Sequence, residues 1–171
     1  MLADLINPEK ARRAVLYTIV MLLAHMAQHL VLSHVAVMGV RPMFLPIFSV
    51  TVGMFEGGLW GGVFGLVSGL LLDMAFVETT VLFTVLFPLF GFFTGMLANF
   101  SVNKRFFSYA CIALAALVIT AAAQATGPIL MAGADTREVL FVAGLQVLLS
   151  IPLLPTVYFP VKTIASKLEE T

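Results

Sequence analysis

The sequence predicts an all-α polytopic membrane protein, a single domain over residues 1–171 folded as a compact bundle of about six transmembrane helices. Three observations predict it. Hydrophobic residues make up 61% of the chain and charged residues 11%, against roughly 25% charged in a soluble domain. A soluble domain of this size has too much surface for its volume to hide that much apolar area. Charges and glycine/proline breaks divide the apolar sequence into six segments, most of them near the roughly 20 residues that cross a bilayer. Finally, the basic residues collect on one side when those segments are taken as alternating spans, which is the usual signature of membrane orientation.

The first span covers residues 14–37, behind the basic residues Lys10, Arg12 and Arg13. It is longer than the roughly 7–15 apolar residues of a cleavable signal and reads as an uncleaved helix. The turn Gly39-Val40-Arg41-Pro42 leads into the second span, 43–55, which is short enough to be read also as partly re-entrant. The third, 58–77, lies between Glu56 and Glu78, and the fourth, 79–100, ends at Asn103-Lys104-Arg105. The fifth, 106–131, is followed by a polar loop at 133–138. The sixth, 139–164, carries Pro152, Pro155 and Pro160, which interrupt backbone hydrogen bonding and bend a helix.

Six spans put Lys10, Arg12, Arg13, Lys104, Arg105, Lys162 and Lys167 on the side of the termini, and only Arg41 and Arg137 opposite. Seven against two orients both termini to the cytoplasm. Removing the second span would scatter these charges over both faces. The net charge of zero gives no field that would attract nucleic acid. The single cysteine, Cys111, lies in an apolar run, which excludes an internal disulfide framework and reads as a small buried hydrophobe.

The most specific local pattern is in the third span. Gly57, Gly61, Gly65 and Gly69 recur every four residues, Gly58 and Gly62 stand beside them, and Asp73 is one step further. Such a row drifts about 40° per step and winds around the helix as a shallow groove. Missing side chains let another backbone approach closely, the means by which helices pack in lipid. Packing within the chain is the plainer meaning of the row; the functional one is that part of it receives a partner's helix. Because the row winds, its ends at 57–61 and 69–73 are expected to face different neighbours.

Asp73 is the one acidic residue well inside a span, about 6 Å from its outer end. An intramembrane carboxylate is a functional candidate by default. It reads as an anchor bonded to nearby backbone or hydroxyl groups, with Arg41 as the candidate counter-ion in an interfacial pair and ion or proton coupling as the alternative. In the first span, His25 and His29 are four apart and share a face with Gln28 between them, and His34 follows. That spacing suits a metal pair, but the sequence has no second cluster of histidines or cysteines to complete a site, so neither a metal nor a cofactor is assigned. His25, Gln28 and His29 read as a polar stripe facing the bundle interior, with Gln124 and Gln146 as its partners. No phosphate-binding loop, zinc-protease helix or nucleophile elbow occurs, so no enzymatic activity is expected.

Taken in order, Gly39-Val40-Arg41-Pro42, an apolar span, Gly57-Gly58-Leu59-Trp60-Gly61-Gly62-Val63-Phe64-Gly65 and Gly69-Leu70-Leu71-Leu72-Asp73 resemble the MreD family of rod shape-determining membrane proteins. The likeness continues more loosely through Gly91-Phe92-Phe93-Thr94-Gly95 and the proline-marked last span. The chain departs from the family at Met43, where an acidic or amide residue is common, and at Val77-Glu78-Thr79-Thr80, where a glycine is common. The resemblance implies a non-enzymatic scaffold in the bacterial cytoplasmic membrane that binds an MreC-like protein. Through it the scaffold would work with the RodA polymerase, a class B penicillin-binding protein and the MreB cytoskeleton in side-wall peptidoglycan synthesis. Membrane lipids are its other expected contact.

The same family is similar in fold to the substrate-binding S components of energy-coupling-factor vitamin transporters, which supply the alternative function. Those components dock through Ala-x-x-x-Ala in their first span. Here Ala24 and Ala27 are three apart and the transmembrane Ala-x-x-x-Ala is Ala121 with Ala125, which weighs against the transporter.

Overall fold

The computed structural model describes residues 8–31, 39–75, 81–100 and 105–167, and the regular elements among them are helices. In chain order these are α1 (Pro8–Met26), which runs on into a wide π-helical turn (Ala27–Val31), α2 (Leu45–Glu56), α3 (Gly58–Ala75), α4 (Leu82–Phe100), α5 (Phe106–Met131), α6 (Thr136–Ser150) and α7 (Leu153–Lys167). Two stretches, Leu82–Asn99 and Phe106–Leu130, are long and apolar enough to cross a membrane. The α6–α7 pair, bent by 43° at the break that holds Pro152, makes a third if taken as one broken span. With the apolar but shorter α2 and α3, these mark a helical membrane protein. The expected last span is thus two helices, because a proline ring cannot sit in the preceding helical turn without displacing a carbonyl. The last residues of the expected first span, including His34, lie outside the described residues.

The shortest of these helices is the most enclosed. All ten residues from Leu45 to Met54 are buried, as a helix apolar on every side must be when protein surrounds it. It packs against α1, α3, α4, α5 and α7. Its 12 residues extend only about 18 Å. Its polar groups are satisfied from within the bundle. Ser49 donates to the Phe87 carbonyl oxygen at 2.6 Å and Thr51 to that of Ile47 at 2.6 Å. The Tyr109 hydroxyl, 3.1 Å from that of Thr51, donates to the Leu154 carbonyl oxygen at 3.2 Å. Around this helix stand Tyr17, Phe64, Phe83, Phe87 and Tyr158, all in the core.

Non-helical backbone leads into α2, and Pro42, Met43 and Phe44 are buried there. Irregular backbone at membrane depth survives only where protein satisfies it. Gln28, on the π-helical turn, supplies both halves of one bond pair. Its Oε1 accepts from the Phe44 N–H at 2.6 Å, and its Nε2 donates to the Pro42 carbonyl oxygen at 3.2 Å. The Met43 N–H donates to Ser150 Oγ at 2.8 Å, and Ser150 in turn donates to the Gln146 carbonyl oxygen at 2.7 Å. Cys111, expected to be buried, is exposed on α5. Its apolar surroundings in the sequence face outward, where lipid takes the place of protein as the apolar medium.

Candidate functional site

The glycine row of α3 is closed from one side by α4, the most extensive helix pair in the molecule. A methyl group added at Gly61 would fall on the Gly91 carbonyl and the Gly53 Cα; at Gly65, on the Phe87 carbonyl and Ser49 Oγ; at Gly69, on the Phe83 carbonyl. All these approaches are under 3.0 Å, closer than side-chain carbons come to other atoms. The partner surface is also glycine. Gly91 of α4 lies on the Gly61 backbone, Gly95 on that of Gly57 and Gly58, and Gly53 of α2 on Gly91. Three helices therefore meet backbone to backbone, as small residues permit in an apolar medium.

Both ends of the row meet α4, and the expected difference of neighbours is confined to Gly61 and Gly65, which also meet α2 at the Gly53 Cα and Ser49 Oγ. The antiparallel register steps by fours, 61 with 91, 65 with 87 and 69 with 83, so α4 follows the winding row along its length. Two glycines have other roles. Gly57 has φ +91° and open space where a side chain would stand, so it is the left-handed link that ends α2 and not a packing position. Gly62 lies at the margin of the α3–α4 contact, where a methyl group would make ordinary contacts with Pro88 and Phe92 of α4 at 3.8 and 3.9 Å.

Asp73, at the far end of the row, holds the start of α4. Its carboxylate accepts from the Phe83 N–H at 3.2 Å, the Thr84 N–H at 2.7 Å and Thr84 Oγ1 at 2.6 Å. These amides belong to the first turn of α4, which lacks partners inside its own helix. Asp73 thus caps α4 from a neighbouring helix, in the role an N-cap aspartate normally plays locally. The expected Arg41–Asp73 pair is not formed. Arg41 is exposed, and the backbone of α4 takes the carboxylate.

The ion pair among the described residues is instead Arg13–Glu56, at 3.6 Å, with the buried Tyr17 donating to Glu56 Oε1 at 2.7 Å. It ties the start of α1 to the α2–α3 link. The sequence held a signal for it, since Arg13 and Glu56 fall on the same side in the six-span arrangement. Of the expected polar stripe, Gln28 serves the α2 entry, His25 is partly buried on α1, and the His29 side chain lies outside the described residues. Gln124 Nε2 approaches Met43 Sδ at 3.8 Å, so its contact is with Met43 rather than with Gln28. Gln124 and Gln146 line a small pocket between α5 and α6 together with Ala121 and Ala125.

On the outer side of the α3–α4 pair lies an apolar groove of about 590 Å³. Gly58, Gly62 and Pro88 line it without bulky side chains, between walls formed by Leu59, Val63 and Phe92. Leu59 is 76% exposed and Val63 50%. The described residues hold no cluster of three His, Cys, Asp or Glu that would bind a metal ion. The chemistry this face offers is shape and apolar contact. Compared with family models, with curated proteins and with solved structures, the chain matches none.

Proposed function

We propose that the protein is a non-enzymatic scaffold subunit of the bacterial cell-shape machinery, similar to MreD. In this reading it crosses the cytoplasmic membrane six times with both termini inside. It receives a transmembrane helix of an MreC-like partner, and through that partner supports RodA, a class B penicillin-binding protein and side-wall peptidoglycan synthesis. One observation carries the reading. The stretch in which the resemblance is densest, residues 57–73, runs along a helix packed backbone to backbone on α4 that leaves Gly62 with room for a side chain on the floor of an apolar groove. Lipid gives no hydrophobic drive to helix association, so a preformed groove floored by small residues is what a docking helix requires.

Gly62→Ile tests it. A side chain there fills the groove and leaves the α3–α4 backbone contact alone. The variant is expected to elute from detergent as the wild type does and to lose at least tenfold of the co-purifying MreC-like protein, while Gly62→Ala keeps it. Wild-type recovery of the partner with Gly62→Ile would remove the groove from the assembly.

The transporter alternative needs a vitamin site. The pocket that carries Gln124 and Gln146 holds about 170 Å³, below the roughly 300–1,000 Å³ of ligand pockets. Thermal-shift measurement of the purified protein against vitamins is expected to show no saturable stabilisation, and a large one from a single vitamin would reverse the assignment.

A further inference from the structure

We infer that the cleft between α4 and α5 is a binding site for one anionic glycerophospholipid, with an acyl chain in the cleft and its phosphate at Arg105. The inference requires α4 and α5 to lie in a bilayer and is independent of the scaffold reading.

The two helices touch only briefly, and the space between them is a slot of about 360 Å³, a volume within the range of ligand pockets, roughly 300–1,000 Å³. Phe93 and Leu97 form one wall, Ile112, Ala115 and Ile119 the other, and Val50 of the enclosed α2 is the floor. Val50 is itself fully buried and backs the slot behind Thr94 and Ala116.

One polar group interrupts the apolar lining. Thr94 borders the slot, is 2% exposed, and has a hydroxyl that no described residue engages. An unmade hydrogen bond in an apolar setting costs free energy, and an ester carbonyl of a lipid would accept this one. Thr94 lies six residues from the end of α4 at Phe100, about 9 Å from the mouth.

The mouth itself is cationic. Ile112 and Ile119 are seven apart on α5, and Arg105 stands immediately ahead of the first turn of that helix, about 10 Å from Ile112 along the axis. It is exposed, and among the described residues no acidic side chain pairs with it. Arg105 is also the N-cap of α5, in extended conformation and with no side-chain capping bond. The free amides and the positive dipole end of that first turn favour an anion. A phosphate at the mouth, an ester oxygen at Thr94 and an acyl chain running to Ile119 follow the order of groups in a glycerophospholipid.

The test uses the full chain, purified in mild detergent, stripped of lipid and titrated with dioleoyl phosphatidylglycerol or dioleoyl phosphatidylcholine. Native mass spectrometry reads the number and class of lipids retained. The wild type is expected to keep one phosphatidylglycerol and to bind it about fivefold more tightly than phosphatidylcholine, the effect of one basic residue near an anionic headgroup. Arg105→Gln should bind the two lipids equally. Thr94→Val should weaken both and leave the preference intact. Ala115→Phe and Ile119→Phe, at two exposed wall positions, should each lose the retained lipid; if one of them does not fold, the other decides. Equal binding of the two lipids by the wild type overturns the proposal. So does undiminished retention in a folded slot-filling variant, or a polypeptide in place of a lipid as the mass those variants lose.

Discussion

Gly91→Ala is expected to be among the most damaging single-methyl changes in the chain, lowering stability by about 3 kcal/mol or more, the upper end of overpacking penalties. The added carbon would sit on the carbonyl, carbonyl carbon and Cα of Gly61. Backbone atoms cannot rotate aside as a flexible side chain can, so α3 and α4 must separate along their whole register. The same substitution at Gly62 meets atoms at ordinary distances and should stay within about 0.5 kcal/mol of wild type, as changes away from packed features do. At Gly57 it meets nothing but must adopt φ +91° with ψ 172°, at a cost of about 1–3 kcal/mol. Reversible denaturation in mixed micelles would rank the three. A Gly91→Ala protein within 1 kcal/mol of wild type, on the scale of ordinary surface changes, would contradict the backbone-to-backbone contact.

Asp73→Ala should cost about 2–3 kcal/mol, the range for hydrogen bonds to a charged group, because it strips three donors of their acceptor at the start of α4. Asp73→Asn keeps an oxygen in place and should lose about half as much. The partner in a double-mutant cycle separates this capping role from an ion pair. Asp73→Ala and Thr84→Val should be strongly coupled, since both remove the same bond, whereas Asp73→Ala and Arg41→Ala should simply add. Coupling to Arg41 with none to Thr84 would overturn the cap.

Charge and polar loops mark helix ends in this sequence, and apolar runs do not say which solvent surrounds them. The bounds of α5 coincide with the apolar run at 106–131, because charge at Arg105 and the polar loop after Met131 mark both ends. The glycine row was visible as a pattern, but its match on α4 was not singled out, although Gly91 and Gly95 carry the same four-residue spacing. Harder to see was the position of α2. Protein and lipid are both apolar solvents, so a run such as Leu45–Met54 reads the same whichever surrounds it. For the same reason the apolar run around Cys111 predicts an interior position, and the residue lies outside. Charges suffered a different error. Arg41 and Asp73 fall on one side of the predicted membrane, and that shared side alone suggests a pair. The groups that actually satisfy Asp73 are largely backbone amides, which every residue but proline possesses and no sequence pattern marks.

The enclosure of α2 sets the order in which the chain is made. It follows α1, yet most of the surfaces that cover it belong to α3, α4, α5 and α7, which are synthesised afterwards, and the bond from Met43 to Ser150 spans 107 residues. Until α6 has been made, the Met43 N–H in the non-helical stretch before Leu45 lacks its Ser150 acceptor. The final enclosure of α2 therefore comes late in synthesis, after most of the chain that surrounds it has been made.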